Sequence, residues 1–266
     1  MDGMSPILDW DGVLALREGG PCPPGAGPLG ALFGPLLAPP RAADGCLVVG
    51  RLAQTLDGRI ATASGSSQWI GGAGDILHTH RLRALCHAVV VGAGTVRHDD
   101  PRLTTRDCTG PDPVRVVLDP ERRLSAGYRV FREGPPTLLV VAEDAPGGER
   151  LGEAEVVRVR RAPEGGGLDI PGMLAALSAR GLWRIFVEGG GVTVSRFLAA
   201  GCLDRLHVTV APVLLGSGIP AFTLPEAGRI ADGLRFRWTV HDLAPDVLFD
   251  IALDRVRPRV CQEPAP

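Results

Sequence analysis

The chain has 266 residues, a formal net charge of −2 and 45% hydrophobic residues. That length suits one large α/β domain with a substantial core, and the near-neutral charge excludes a general attraction to nucleic acid or anionic membrane. Cys22, Cys46, Cys86, Cys108, Cys202 and Cys261 form no CxxC pair, and no His, Cys or carboxylate pair has metal-ligand spacing, so a reduced chain without a structural metal is expected. The first ten residues hold two aspartates and no basic segment, and no apolar run reaches membrane-spanning length, which predicts a cytoplasmic protein.

Residues 1–44 read as a Pro- and Gly-rich extension. PCPPGAGPLG and LLAPPRAADG are predicted not to hold regular structure for long, because proline removes a donor and glycine favours the unfolded chain. The apolar pieces 13–16 and 29–37 could pack as an arm on a main domain spanning 45–256; residues 257–266 read as a loose tail. Residues 46–52 predict a buried strand, and 59–63 a second strand or turn leading into Ser64, Gly65, Ser66, Ser67 and a lone Trp69. Residues 74–87 predict a helix with an apolar stripe of Ile76, Leu77, Leu82, Leu85 and Cys86, ending near the basic cluster His80, Arg81 and Arg83. Residues 88–91 form a strand running into the small-residue turn 92–95, a shape suited to a nucleotide phosphate or ribose. Arg97, His98, Asp99, Asp100 and Pro101 then read as a polar loop closed by Leu103 and Arg106.

Strands follow at 114–118, 137–142, 156–159, 184–188 and 205–211, with helices at 171–180 and 192–200 and a closing antiparallel pair at 235–241 and 247–253. Asp169 is the expected N-cap of the first of these helices and Gly181 its end. Arg122 or Arg123, after the strand at 114–118, has the charge and fork for a 2′-phosphate; a solvated basic turn is the equal alternative. The strand ending at Glu188, followed by Gly189, Gly190 and Gly191 and a helix, is the best phosphate cradle in the chain, since glycine lets backbone amides approach an anion at a helix start. The order of elements predicts an α/β fold with a mixed central sheet and helices on both faces.

Four blocks, TLDGRIATASGSSQW, HRLRA, VVVGAGTVRHDDPRLTTR and VEGGG, occur in that order. Together they resemble the reductase domain of bacterial riboflavin biosynthesis, the 5-amino-6-(5-phosphoribosylamino)uracil reductase half of a bifunctional deaminase-reductase, over residues 46–254. The resemblance implies a dihydrofolate-reductase-like fold, a homodimer, and NADPH-dependent reduction of the substrate's ribosyl group to a ribitylamino group. By motif, Ser67, Arg83, Leu103, Arg106 and Glu188 fall on substrate-binding positions, with the two arginines suited to the phosphate and Glu188 to ribose hydroxyls or the pyrimidine. Ala53, Trp69, Thr95, Asp99 and the run Gly190, Gly191, Val192, Thr193, Val194, Ser195 and Arg196 fall on cofactor positions. Each has a structural alternative: Trp69 in the core, Arg83 in a salt bridge to a neighbouring helix, Glu188 capping its turn, Asp99 and Asp100 shaping their own loop. Asp57 and Gly58 read as a turn ahead of an acid catalyst. No catalytic side chain is assigned, because the cofactor carries the hydride chemistry.

The sequence departs from the family in two places. Relatives often carry a lysine where Arg51 stands, which puts a lysine-specific role in doubt. The bifunctional relatives' zinc deaminase needs His-x-Glu and Pro-Cys-x-x-Cys; here Pro21-Cys22 stands alone, so deamination is not expected. Two other functions fit the sequence: a reductase of another pterin or pyrimidine on the same fold, and a non-catalytic ligand-binding scaffold that uses the proline-rich extension for partners.

Overall fold

The computed structural model describes residues 7–68, 70–163 and 167–255. Trp69 and the expected loose tail lie outside them. In chain order, helices α1 (Trp10–Ala15) and α2 (Gly27–Leu37) precede strand β1 (Leu47–Thr55) and the short β2 (Arg59–Thr62). Helix α3 (Ala73–Leu85), β3 (Ala88–Gly92), α4 (Ala93–Asp99), β4 (Val114–Leu118) and β5 (Thr137–Ala142) follow. Then come β6 (Arg150–Leu151), β7 (Ala154–Val159), α5 (Ile170–Ser178), β8 (Arg184–Glu188), α6 (Gly191–Ala199) and β9 (Arg205–Ala211). The last strands of the described residues are β10 (Gly218–Pro220), β11 (Trp238–Leu243) and β12 (Asp246–Ala252).

Among the described residues ten strands make one sheet in the order β11-β12-β9-β1-β8-β3-β4-β5-β7-β6, and β2 pairs with β10 in a separate two-stranded ribbon. The strands from β9 to β7 in that order are parallel to their neighbours, whereas β12, β11 and β6 join antiparallel. The parallel strands are apolar along their length, as strands covered on both faces must be: Val89, Val90, Val91, Val116, Val117, Leu139, Val140 and Val141 are fully buried. From β1 the chain moves through α3 and α4 toward β7. It then returns through α5 to insert β8 between β1 and β3, and continues the other way through α6 to β9. Because such crossovers are right-handed, the reversal puts α3 and α4 on one face and α5 and α6 on the other. It also opens a crevice where β8 meets β3, the place where open α/β sheets hold ligands.

The extension differs from expectation. It holds α2, eleven residues long, with Pro28 in the first turn and Pro35 in the last. A first-turn proline gives up an N–H that would have no partner anyway. Burial of Leu32, Phe33, Leu36 and Leu37 in the main core offsets what Pro35 costs. The expected turn after β3 is also corrected: residues 93–99 are helical, and Asp100 in the left-handed region (φ 39°) ends the helix. Asp169 caps α5 by accepting from the Gly172 amide, and Gly181 follows with φ 77°, both as expected.

One sheet face carries a polar row. Glu188, Arg51, His207 and Asp250 lie in register across β8, β1, β9 and β12. Helix α3 covers this row: Asp75 pairs with Arg51, and His78 Nε2 lies 3.0 Å from His207 Nδ1. His207 Nε2 in turn lies 3.1 Å from Asp250 Oδ1. Phe33 of α2 packs on the His78 ring, so the extension closes the outer side.

Candidate active site

Two neighbouring parallel strands deliver the two halves of the candidate site. β8 ends at Glu188 and enters α6 through Gly189 and Gly190; β3 ends at Gly92 and enters α4. Neither helix has a side-chain cap, so their first amides are not satisfied locally. The two starts touch: a Cβ added at Gly92 would lie 2.7 Å from Thr193 Oγ1. A Cβ at Gly190 would meet nothing within 4 Å, so that side of its backbone is open to an incoming group. Gly190 has φ −61°, so it is glycine for approach and not for a left-handed turn. At Gly191 the need is packing, because an added Cβ would strike the Ala221 carbonyl.

The other half is a cleft of about 340 Å³ lined by Arg83, Asp99, Asp100, Pro101, Arg102, Leu103, Arg106 and Arg129. Arg83 reaches it from α3, where residues 75, 79 and 83 fall on one face at helical spacing. Its Nε and Nη2 donate to Glu188 at 2.8 and 2.5 Å, and Nη1 donates to the Thr104 carbonyl at 2.8 Å. The guanidinium is thus buried and largely spent within the protein. Burial opposes its charge, but the Glu188 carboxylate outweighs that and raises the Arg83 pKa above its ordinary value. Arg106 is the opposite case: its side chain is exposed, with Nη1 donating to Thr104 Oγ1 at 2.9 Å and the rest of the fork facing outward. Asp100 is tied to Arg129, whose amide donates to it at 2.8 Å. Leu103, buried in the cleft wall, is held at φ 56°. Such a conformation in a non-glycine residue costs about 1–3 kcal/mol and concentrates at ligand sites.

The structure therefore lines one cleft with Arg83, Asp99, Leu103 and Arg106, and the Arg83 salt bridge joins Glu188 to it. Thr95 lies in the first turn of α4, and Gly190 to Thr193 lie at the start of α6. Val194 and Ser195 face inward: Val194 is core, and Ser195 Oγ accepts from the Thr223 amide at 2.8 Å. Val192 and Arg196 are exposed on α6. Ala53 lies on β1 opposite Thr209, and Ser67 is exposed in the loop after β2; neither lines the cleft. Arg83 makes its salt bridge to the end of a strand, not to a neighbouring helix, and Glu188 is the partner rather than a turn cap. Asp57 is a turn residue: its carboxylate takes hydrogen bonds from the Thr55 hydroxyl and then the Leu215 and Gly216 amides, which hold its pKa at about 2. Arg122 is occupied by the Pro146, Gly148 and Arg150 carbonyls. Two residues were missed in sequence. Thr104 accepts from both arginines, and Asp75 neutralises Arg51; Thr104 lies inside a quoted block, whereas nothing local marked Asp75.

A larger cavity, about 800 Å³, lies at the amino end of β8 between the extension and Trp183 and Arg184. It is mainly apolar and far from the ends of the strands that carry the charged cluster, so the smaller cleft is the better candidate. Among the described residues no group of three or more His, Cys, Asp or Glu side chains could hold a metal ion, and no helix is long and apolar enough to cross a membrane.

Residues 47–240 match the model of the RibD C-terminal domain. The chain belongs to that family. Among proteins of the family, the 2,5-diamino-6-ribosylamino-4(3H)-pyrimidinone 5′-phosphate reductase of Methanothermobacter thermautotrophicus is 40% identical over 200 residues, covering 71% of this chain and 88% of that protein. The riboflavin biosynthesis protein RibD of Aquifex aeolicus is 37% identical over 170 residues, 63% of this chain and 46% of that one. In structure, RibD of Acinetobacter baumannii superposes with a TM-score of 0.69 at 27% identity, covering 86% of this chain and 63% of that one. The chain thus spans about half the length of the RibD relative from Aquifex and nearly all of the archaeal reductase. The α/β architecture with a large mixed sheet is the RibD reductase fold that the sequence resemblance implied.

Proposed function

We propose that this RibD-type chain is an NADPH-dependent reductase of riboflavin biosynthesis, turning the ribosyl group of a phosphoribosylaminopyrimidine into a ribitylamino group in the cytoplasm. The observation that carries the reading is the junction of two sites on adjacent strands: an open glycine-rich helix start at the end of β8, and a cleft bearing the exposed Arg106 fork. The open approach at Gly190 suits the close contact that a dinucleotide's pyrophosphate needs with backbone amides. The first amides of α6 would take its pyrophosphate, with Thr95 and Asp99 beside its ribose or carboxamide. When bound, the dihydronicotinamide supplies the hydride. The protein's own part is placement. Arg106 takes the substrate phosphate as a bidentate partner. Glu188, locked by Arg83, accepts from ribose hydroxyls or the pyrimidine, and Leu103 walls the cleft.

The name of the archaeal relative favours a second substrate reading, in which the diamino pyrimidine is reduced before deamination. The test follows NADPH absorbance with the deaminated and the diamino substrates, each with and without EDTA, while monitoring ammonia. Substrate-dependent oxidation with at least one of them, insensitive to EDTA and without ammonia release, is expected. Oxidation of neither, or turnover of a dihydropterin instead, would overturn the reading.

In this reading two copies pair through the open edge of β11. Trp238 and Val240 on that strand are 57% and 53% exposed, beside Val247 at 38%. An unpaired strand edge with exposed apolar side chains is a template for association, and a second copy satisfies it symmetrically.

A further inference from the structure

We infer that His80 is a positioning residue for the substrate phosphate: from inside α3 it holds the 103–107 loop so that Arg106 faces the cleft. The inference rests on the reading of Arg106 given above. His80 is 3% exposed and sits one turn before Arg83 on the same helix. Its Nδ1 accepts the Arg106 backbone amide at 2.9 Å, and its Nε2 lies 3.3 Å from Asp107 Oδ2. Arg83 grips the same loop two residues earlier, at the Thr104 carbonyl. Helix α3 thus holds the loop at two points, and the Arg106 side chain leaves from the second. The far side of the loop is tied by Asp112 to the Thr105 amide and by the Pro111 carbonyl to the Thr105 hydroxyl. Immediately before these ties Leu103 is kept in the left-handed region. A loop with such a strained residue relaxes if a tie is lost, and the first casualty is the direction of Arg106.

The arrangement works with one state of the ring. Nδ1 must be an unprotonated acceptor, with the proton on Nε2 toward Asp107. A protonated ring would present an N–H to the Arg106 N–H and push the loop away. Burial, then Arg83 and Arg106, keep His80 below its ordinary pKa, against Asp107 and Glu188, which favour the charged form. Neutral His80 therefore persists at neutral pH, and phosphate affinity falls in acid as the ring takes its proton.

The test is steady-state kinetics of wild type, His80→Leu, His80→Asn and Arg106→Ala, with phosphorylated and dephosphorylated pyrimidine, from about pH 8 to about pH 5.5. His80→Leu is expected to raise KM for the phosphorylated substrate roughly tenfold, far more than it lowers kcat, with NADPH affinity changed by less than about twofold. Asparagine places an amide oxygen where Nδ1 lies. It is expected to restore most of the affinity and to leave in acid only the smaller rise of KM that the substrate phosphate's own protonation causes. An acid limb in the Asn variant equal to wild type would assign that limb to the substrate phosphate's own titration, which has a pKa of about 6, and overturn the inference. So would a His80→Leu variant with unchanged KM. Should the Leu variant fail to fold, the Asn variant's acid limb decides. If wild-type KM depends on neither the phosphate nor Arg106, the reading of Arg106 itself falls, and this inference with it.

Discussion

Arg83 and Arg106 share a cleft but not an electrical situation, and their substitutions should part company. Arg106 is exposed with most of its fork free, so Arg106→Ala removes a charge-assisted phosphate contact of about 1.5–3 kcal/mol. The expected result is a rise in substrate KM of roughly tenfold or more, with stability and NADPH affinity nearly unchanged; an unaltered KM would mean the phosphate binds elsewhere. Arg83 is 8% and Glu188 20% exposed at the side chain, so Arg83→Ala strands a half-buried carboxylate. Breaking such a pair costs about 3 kcal/mol. A thermal melt should therefore show a marked fall in Tm, recovered in part by adding Glu188→Gln. Arg83→Lys is no rescue, because an ammonium cannot make the two parallel bonds to Glu188 and the third to Thr104. If Arg83→Ala melts like wild type, the pair is not structural.

At the scale of elements, the start of α6 separates two glycines that look alike in sequence. Gly190 faces open space, so Gly190→Val should fold normally and lose NADPH affinity, its branched side chain standing where the pyrophosphate approaches. Gly191 is pressed against the Ala221 carbonyl, so Gly191→Val should destabilise the fold before any question of cofactor arises. Circular dichroism melts with NADPH titration by tryptophan fluorescence distinguish the two. Normal binding by a folded Gly190→Val would move the pyrophosphate off α6. The ribbon of β2 and β10 belongs to the same neighbourhood: Asp57 ties the β1–β2 turn to Leu215 and Gly216, and the Ala221 amide donates to the Gly58 carbonyl. The close approach at Gly191 is what lets the 220–221 backbone sit on α6.

For the whole molecule, the buried row under α3 sets how stability responds to acid. Burial, then the charges of His207, Arg51, Arg81 and His241, holds His78 well below its ordinary value of 6.5. His207, His241, His80 and His87 are lowered as well, chiefly by burial, His87 to about 4. For a base whose folded pKa is depressed, the unfolded chain takes up protons first as pH falls. Stability is therefore full above about pH 6.5 and declines below it. Burial pushes Asp250 up, but hydrogen bonds from His207 and Arg205 outweigh it and hold it at about 2. Its contribution is present above its unfolded value of 3.8 and is lost as pH falls toward about 2. Tm is thus expected to drop between about pH 7 and about pH 5, by roughly 2–4 °C per kcal/mol lost, and His78→Gln should flatten that slope. A Tm independent of pH in this range would contradict the buried neutral histidines. The open edge of β11 adds a second global expectation. Light scattering should give a dimer for wild type and a monomer for Trp238→Lys, and a monomeric wild type would refute pairing through that edge.

Much of the architecture was legible because its signals are local. Apolar, β-branched runs mark β3, β4, β5 and β9 almost to the residue, and Asp169 and Gly181 mark the ends of α5. The quoted blocks pointed to Arg83, Leu103 and Arg106, which line the cleft, and to Glu188, which Arg83 holds, since all four keep the family's order whatever their partners. Pairing is not local, and only the tertiary structure decided it. Arg83 and Glu188, 105 residues apart, are locked together because β8 inserts between β1 and β3 under α3. Gly92 meets Thr193 for the same reason. The helicity of 27–37 was hidden by its prolines, because burial of Phe33 and Leu36 outweighs backbone propensity and that burial exists only once α3 and the sheet are assembled. Likewise, nothing in the spacing of His78, His207 and Asp250 announces a buried polar row. The antiparallel register of β12 on β9 sets Asp250 beside His207, and α3 lays His78 over them; both are properties of the folded sheet and its packing.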